Sequence, residues 1–172
     1  MLRLAKEEDL IQVEQIYHEI LDLEASSVSY TNWQKGLYPT IHNAREAFLE
    51  GTLFVGEDNH NLYGSVILNH IQPKEYNEIN WLTPAKPEEV MVIHTLCIKP
   101  SESGKGRGRV MVDFCEEYAR SQKSKVIRLD TYEGNKPASD LYTKLGYTYV
   151  GTTMFHFQNL IWEKLICFEK EL

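Results

Sequence analysis

Residues 90–109 read VMVIHTLCIKPSESGKGRGR, and how this one stretch is read decides the fold. Its first half carries Val90, Val92, Ile93, Leu96 and Ile98 and ends at Pro100. A strand covered on both faces has no need to alternate, so this β-branched apolar run reads as an inner strand. A polar loop follows, with Gly104, Gly106 and Gly108 at every second position. It leads into Val110, Met111, Phe114, Cys115, Tyr118 and Ala119, whose spacing fits an amphipathic helix. Strand, glycine loop and helix in that order make an anion site. Glycine lets the backbone turn tightly and approach a ligand with no Cβ in the way. The open N–H groups of the loop and first helical turn converge where the helix dipole favours negative charge. Lys105, Arg107 and Arg109 add mobile cations around that spot, so the expected guest is a phosphate or diphosphate.

Two common phosphate motifs fail. A Walker loop needs Gly-Lys followed by Ser or Thr, whereas Gly104-Lys105 is followed by Gly106, which removes the hydroxyl that would hold magnesium. That counts against a nucleotide enzyme working with magnesium. A dinucleotide fingerprint needs a third glycine, and the two places for it hold Arg109 and Met111. On this loop alone, a flexible surface turn with scattered cations is an equal alternative.

A second stretch, NKPASDLYTKLGY at residues 135–147, changes the balance. Together the two resemble the Gcn5-related N-acetyltransferase superfamily, with its loop pattern Arg/Gln-x-x-Gly-x-Gly/Ala and its later helix Asn-x-x-Ala-x-x-x-Tyr-x-Lys-x-Gly-Phe. Ser103, Gly106 and Gly108 stand at the first pattern's positions, and Asn135, Ala138, Tyr142, Lys144, Gly146 and Tyr147 at the second's. Ser103 departs from the usual Arg or Gln and removes a long donor to the diphosphate, while Tyr147 for Phe is a mild change. The likeness covers about Val90 to Gly151.

The resemblance implies one domain over residues 1–172, an α/β (α+β) acyl-CoA N-acyltransferase-like fold with a mixed, mostly antiparallel sheet flanked by helices. It implies acetyl-CoA as cofactor, no metal, and direct acetyl transfer to the amine of a small-molecule or amino-acid-like acceptor. Ser103, Gly104, Lys105, Gly106, Arg107, Gly108 and Arg109 would then hold the diphosphate. The edge of Leu96, Cys97 and Ile98 would pair with the pantetheine arm, the Leu96 N–H facing the thioester carbonyl. Asn135, Ala138 and Tyr142 would complete the cofactor site, helix capping being the other explanation for Asn135. Tyr142 is the expected general acid, against the plainer reading of a core aromatic. His94, on the same side as Leu96 and Ile98 by two-residue alternation, is the candidate base. A hydrogen-bonded core histidine is the competing reading there, and His70, Glu89 and Glu133 are weaker candidates. Tyr30, Trp33, Tyr38 and Trp81 are candidate acceptor contacts or aromatics that pin loops. A non-catalytic acyl-CoA-binding module, acting as a sensor or dimerisation domain, is the alternative function. A homodimer is open as well.

Composition narrows the classes. The 172 residues, 42% apolar and 25% charged, are those of an ordinary globular chain with a sizeable core. A net charge of −7 speaks against a nucleic-acid binder, which needs a basic face. No apolar run nears the ~20 residues of a membrane span, and the start MLRLAKEEDL turns acidic too soon for a signal peptide, so cytoplasm is expected. The three cysteines are widely spaced, which suits neither a zinc site nor a disulfide framework.

Along the chain, Met1–Leu4 reads as a strand and Lys6–Leu23 as a helix, since Leu10, Val13, Ile16, Tyr17 and Ile20 keep helical spacing. Ala25–Thr40 reads as a loop, Ile41–Glu50 as a helix, and Thr52–Gly56 with Leu62–His70 as a hairpin. The polar stretch Ile71–Glu89, punctuated by Pro73, Pro84 and Pro87, reads as a substrate-side loop, an oligomer contact or an uncommitted insertion. Val126–Thr131, Tyr147–Gly151 and Trp162–Phe168 read as further strands, the last two linked by Phe155–Leu160.

Overall fold

The computed structural model describes residues 1–157 and 161–172. The strands are β1 (Leu2–Leu4), β2 (Leu53–Asp58), β3 (Asn61–Asn69), β4 (Val90–Ile98), β5 (Val126–Tyr132), β6 (Thr148–Phe157) and β7 (Ile161–Glu171). The helices are α1 (Leu10–Ala25), α2 (Ile41–Leu49), α3 (Arg107–Ser121) and α4 (Lys136–Lys144). All seven strands form one sheet in the order β1-β2-β3-β4-β5-β7-β6. The β1–β2, β2–β3, β5–β7 and β6–β7 ladders are antiparallel, and β4–β5 is parallel. The mixed, mostly antiparallel α/β architecture expected from the resemblance is therefore what the chain adopts.

The chain gathers into two compact units. Met1–Ser29, Trp33–Leu68 and His94–Cys115 form the first; Tyr30–Asn32, Asn69–Ile93 and Glu116–Leu172 form the second. The division passes through β4 after Ile93 and through α3 after Cys115.

In the first unit, Leu10, Val13, Ile16 and Tyr17 of α1 meet Ala44 and Ala47 of α2 over Leu53 and Val55 of β2. The helical spacing read from the sequence is the spacing of this buried face. Small alanines on α2 let the second helix sit close. In the second unit, Val90, Val92, Val126 and Cys167 are buried with Tyr76 and Ile79. Met91 and Ile93 are buried too, so the first half of β4 is covered on both faces, as its non-alternating sequence required. Each such side chain contributes roughly 1.5–3 kcal/mol by leaving water.

One sequence expectation needs correction here. β6 does not stop at Gly151. A bulge between Tyr149 and Gly151, with Gly151 at φ 147°, carries the strand on to Phe157. Residues 155–157, expected to be linker, are thus paired strand, and His156 stacks on its cross-strand partner Trp162 at 4.3 Å. The rest of that expected linker, residues 158–160, lies outside the described residues.

Of the three readings of Ile71–Glu89, the packing speaks against an uncommitted insertion, because the stretch is a strap packed into the second unit. Tyr76 and Ile79 enter the core, and the Trp81 N–H donates to the Tyr76 carbonyl at 2.9 Å. Arg128, on β5, lies over the Trp81 ring at 4.3 Å and reaches Gln72, the Thr83 carbonyl and Glu169. Glu169 in turn accepts the backbone N–H groups of Leu82 and Thr83, both at 2.8 Å. A loop with this many buried polar partners is held as firmly as a strand.

Candidate functional site

The glycine loop belongs to the first unit. The Lys99 N–H donates to the Tyr63 carbonyl at 2.8 Å, tying the end of β4 to β3. A 3-10 turn over Pro100–Glu102 then redirects the chain. Gly104 and Gly106 both have left-handed backbones, at φ 74° and 78°. A Cβ built on either meets no atom within 4 Å. These glycines are therefore required by backbone conformation rather than by crowding, and the space above them is open. Gly108 differs, because α3 has already begun at Arg107. The first N–H groups of α3 have no acceptor within their own helix and point back toward the loop.

The cations are less mobile than the sequence suggested. Arg107 donates to Asp58 at 2.8 Å and to Glu102 at 3.1 Å, and its guanidinium covers the Tyr63 ring at 4.4 Å. Lys105 pairs with Glu102 at 2.8 Å, and together these two cations hold the Glu102 carboxyl below its ordinary pKa. Arg107 thus works as a brace between the loop, β2 and β3. Arg109 lies 3.7 Å from Asp113 and is exposed.

Just upstream, β4 is bent. Thr95 has φ 47°, a left-handed conformation that is an outlier for a β-branched residue. Counting every second residue no longer puts His94 on the side of Leu96 and Ile98, so the alternation argument for His94 fails at this point. His94 and Leu96 are half-buried and Cys97 is buried. The Cys97 thiol lies 3.2 Å from the Ser65 hydroxyl, and burial pushes its pKa up to about 11, which suits a packed core thiol. The Thr95 hydroxyl shares a short hydrogen bond with the Tyr38 hydroxyl. Tyr38 also meets Trp33 edge-on, with ring centroids 5.9 Å apart. Of the four aromatics singled out from sequence, these two come together, next to the β4 bend.

The remaining candidates lie in the second unit. Trp81 has its ring face on Arg128 and its N–H on a carbonyl, so both serve the strap. Tyr30 is exposed. Asn135 caps α4, its side-chain oxygen accepting the Ala138 N–H at 3.2 Å, which is the capping role weighed from the sequence. At the other end, Gly146 at φ 85° closes α4: its N–H donates to the Thr143 carbonyl, and that of Tyr147 to the Tyr142 carbonyl. Tyr142 is 6% exposed, its ring against Tyr147 and Phe168.

Two features escaped the sequence reading. One is the Thr95 bend, for which a β-branched residue gives no signal. The other is Asp130, which follows the buried stretch Val126–Leu129 on β5. Burial pushes its carboxyl up to about 6, a hydrogen bond from the Tyr76 hydroxyl at 2.8 Å opposes the rise, and nearby Glu163 and Glu75 add to it. Burial also raises Glu163, which accepts the Asn32 amide at 2.6 Å. A charged residue closing a buried strand was the available clue. The β4–β5 ladder runs from the Val90–Val126 pair to the Ile93–Leu129 pair, so Asp130 is the next residue of β5.

A strand, a left-handed glycine loop and a helix start in sequence give the chain a backbone geometry that suits an anion. Comparison with known proteins gives the family: residues 13–147 match the model of the Acetyltransferase (GNAT) family, and the chain belongs to it. A streptothricin acetyltransferase of Escherichia coli is 31% identical over 96 residues, which is 56% of this chain and 52% of that protein. An uncharacterized N-acetyltransferase of Methanocaldococcus jannaschii is 29% identical over 70 residues, 41% of this chain and 31% of that protein. The chain thus spans about half or less of the curated relatives it matches. Among solved structures, a GNAT-family acetyltransferase from Streptococcus agalactiae superposes with a TM-score of 0.82 at 20% identity, over 100% of this chain and 95% of that one. The yncA protein of Salmonella typhimurium, solved with its cofactor acetyl-CoA, gives 0.72 at 17% identity, over 100% and 93%. No helix among the described residues is long and apolar enough to cross a membrane.

Proposed function

We propose that the chain is an acetyl-CoA-dependent N-acetyltransferase that acetylates the amine of a small-molecule or amino-acid-like acceptor by direct transfer. The observation that carries this reading is the pair of left-handed glycines, Gly104 and Gly106, at the mouth of α3, with open space over them. That backbone suits a diphosphate, and family membership supports acetyl-CoA as its owner. Ser103 to Arg109 would hold the diphosphate, and Leu96, Cys97 and Ile98 the pantetheine arm, with Asn135 and Ala138 at the start of α4. Bound acetyl-CoA supplies the activated acetyl thioester. The Leu96 N–H would stabilise charge growing on the carbonyl oxygen, an effect that removing one such donor shows to be worth about a hundredfold or more in rate. Tyr142 would hold the proton for the departing thiolate.

For the base, the reading offers His94 and Asp130. A group titrating near 6 is well matched to taking a proton at neutral pH, which favours Asp130. Tyr30, Trp33 and Tyr38 are the proposed acceptor contacts.

Calorimetry with acetyl-CoA and a thiol-release assay across a panel of amines test the reading. Binding followed by release is expected; failure to bind acetyl-CoA refutes it. Tyr142→Phe should lower turnover by about a hundredfold with cofactor affinity little changed, and unchanged turnover removes the general-acid role. The acidic limb of the kcat/KM profile should vanish in whichever of His94→Asn or Asp130→Asn removes the base. Ser103, which lacks the reach of Arg or Gln, favours one second reading, a non-catalytic acyl-CoA-binding module. Tight binding with no turnover on any amine would establish that module instead.

A further inference from the structure

We propose that Tyr38 is a positioning residue: through the Thr95 hydroxyl it holds the bend in β4 that sets the direction of the Leu96 backbone N–H. The link to chemistry rests on the acetyltransferase reading, in which that N–H faces the thioester carbonyl. A β-branched residue at φ 47° inside a strand is strained and persists only where its surroundings over-determine it. The surroundings here do so from several directions. The Tyr38 hydroxyl bonds the Thr95 hydroxyl. Tyr38 is itself held by two backbone bonds with Gln34, at 3.0 and 3.1 Å, and by the edge of Trp33. Trp33 packs on the core of the first unit.

On the far side of Leu96, Cys97 is fixed in turn. Its thiol meets Ser65, and its carbonyl lies so close to Gly64 that a Cβ there would stand 2.5 Å away. Leu96 is therefore the one residue between two anchored neighbours. The anchor at Cys97 is packing, whereas the anchor at Thr95 is one hydrogen bond from a loop before α2. Loss of that bond frees the bend without opening the core, and an N–H aimed at a reacting oxygen tolerates little misdirection.

The test combines hydrogen exchange at the Leu96 amide with steady-state kinetics. Tyr38→Phe and Thr95→Val each remove one hydroxyl and keep the ring or the branch. Each should speed Leu96 exchange and lower kcat by about fivefold to tenfold, the worth of one hydrogen bond, with KM for acetyl-CoA unchanged. Thr95→Ser keeps the hydroxyl and should behave as wild type. The double variant should be no worse than either single one, since both break the same bond. A thermal melt confirms that each variant folds. Unchanged Leu96 exchange in Tyr38→Phe overturns the proposal, as do effects that multiply in the double variant or faster exchange with unaltered kcat. If the wild-type protein acetylates no amine, the acetyltransferase reading fails by itself. Exchange then still decides whether Tyr38 holds the bend.

Discussion

Asp130 should make the protein less stable at neutral pH than at mildly acidic pH, and Asp130→Asn should remove this contribution. The carboxyl rises from 3.8 to about 6 because the fold buries it, with Glu163 and Glu75 nearby, against the opposing hydrogen bond from the Tyr76 hydroxyl. Between those two values the native state keeps a proton that the unfolded chain has released. The native state therefore binds more protons across that window, and stability falls as pH climbs through it. At roughly 1.4 kcal/mol per pKa unit, the rise corresponds to about 3 kcal/mol of lost stability once the pH exceeds the folded value. Asn keeps an oxygen that can accept from Tyr76 and carries no charge to desolvate. Urea unfolding at about pH 8 should show Asp130→Asn more stable by about 2–3 kcal/mol, with the gain shrinking below about 1 kcal/mol near pH 4. Asp9 cannot mimic this, because Arg3 and the Lys6 N–H lower its carboxyl, so its contribution is lost only at more acidic pH. A gain that does not depend on pH, or a wild-type protein that is the more stable one at pH 8, would refute the reasoning. If Asp130 is also the base, the stabilised variant is the inactive one, the usual relation between a strained functional group and fold stability.

Two further substitutions probe how the units are held. Gly64→Ala places a Cβ 2.5 Å from the Cys97 carbonyl, 2.7 Å from the Met111 sulfur and 3.0 Å from Ile98, so β3 or β4 must shift. A loss of about 1–3 kcal/mol is expected as a lower urea midpoint with unchanged slope; an unshifted midpoint would show that β4 yields freely. Arg128→Met takes the guanidinium from the buried Glu169 carboxylate while the Leu82 and Thr83 N–H groups stay, and should cost about 3–5 kcal/mol and loosen the strap of residues 71–89 toward proteases. Adding Glu169→Leu should restore part of that loss, and no restoration would mean the pair acts through packing alone.

The sequence made some elements legible because one residue's own chemistry dictates them. A run buried on both faces favours apolar residues without alternation, and the first half of β4 reads that way. Gly104, Gly106 and Gly146 each stand where the backbone is left-handed, and the turns they make could be placed to within a residue or two. What stayed hidden depends on distant partners. Thr95 looks like any strand residue until Tyr38, 57 positions earlier, bonds it. The strap of residues 71–89 looks polar and proline-broken because its anchors, Arg128 and Glu169, lie far along the chain. Asp130 reads as the polar end of a strand, and only its surroundings raise its pKa. The extension of β6 past Gly151 was missed because a bulge interrupts the alternation that marks a strand.

The charge around the loop shows the same dependence on partners. Lys99 lies 3.5 Å from Glu19, Lys105 2.8 Å from Glu102, Arg107 2.8 Å from Asp58 and Arg109 3.7 Å from Asp113. Each of these four cations is thus close to a carboxylate, and the loop's local field is weaker than a count of basic residues implies. Exposed pairs such as these are worth little, so Lys105 and Arg109 can turn to an arriving phosphate at small cost. Arg107 cannot do so equally, because it also covers Tyr63 and ties the loop to β2. In the proposed reading, anion preference then rests on backbone amides whose direction Gly104 and Gly106 set. That arrangement suits Ser103, which has no long donor, since the amides need no side chain to reach a diphosphate.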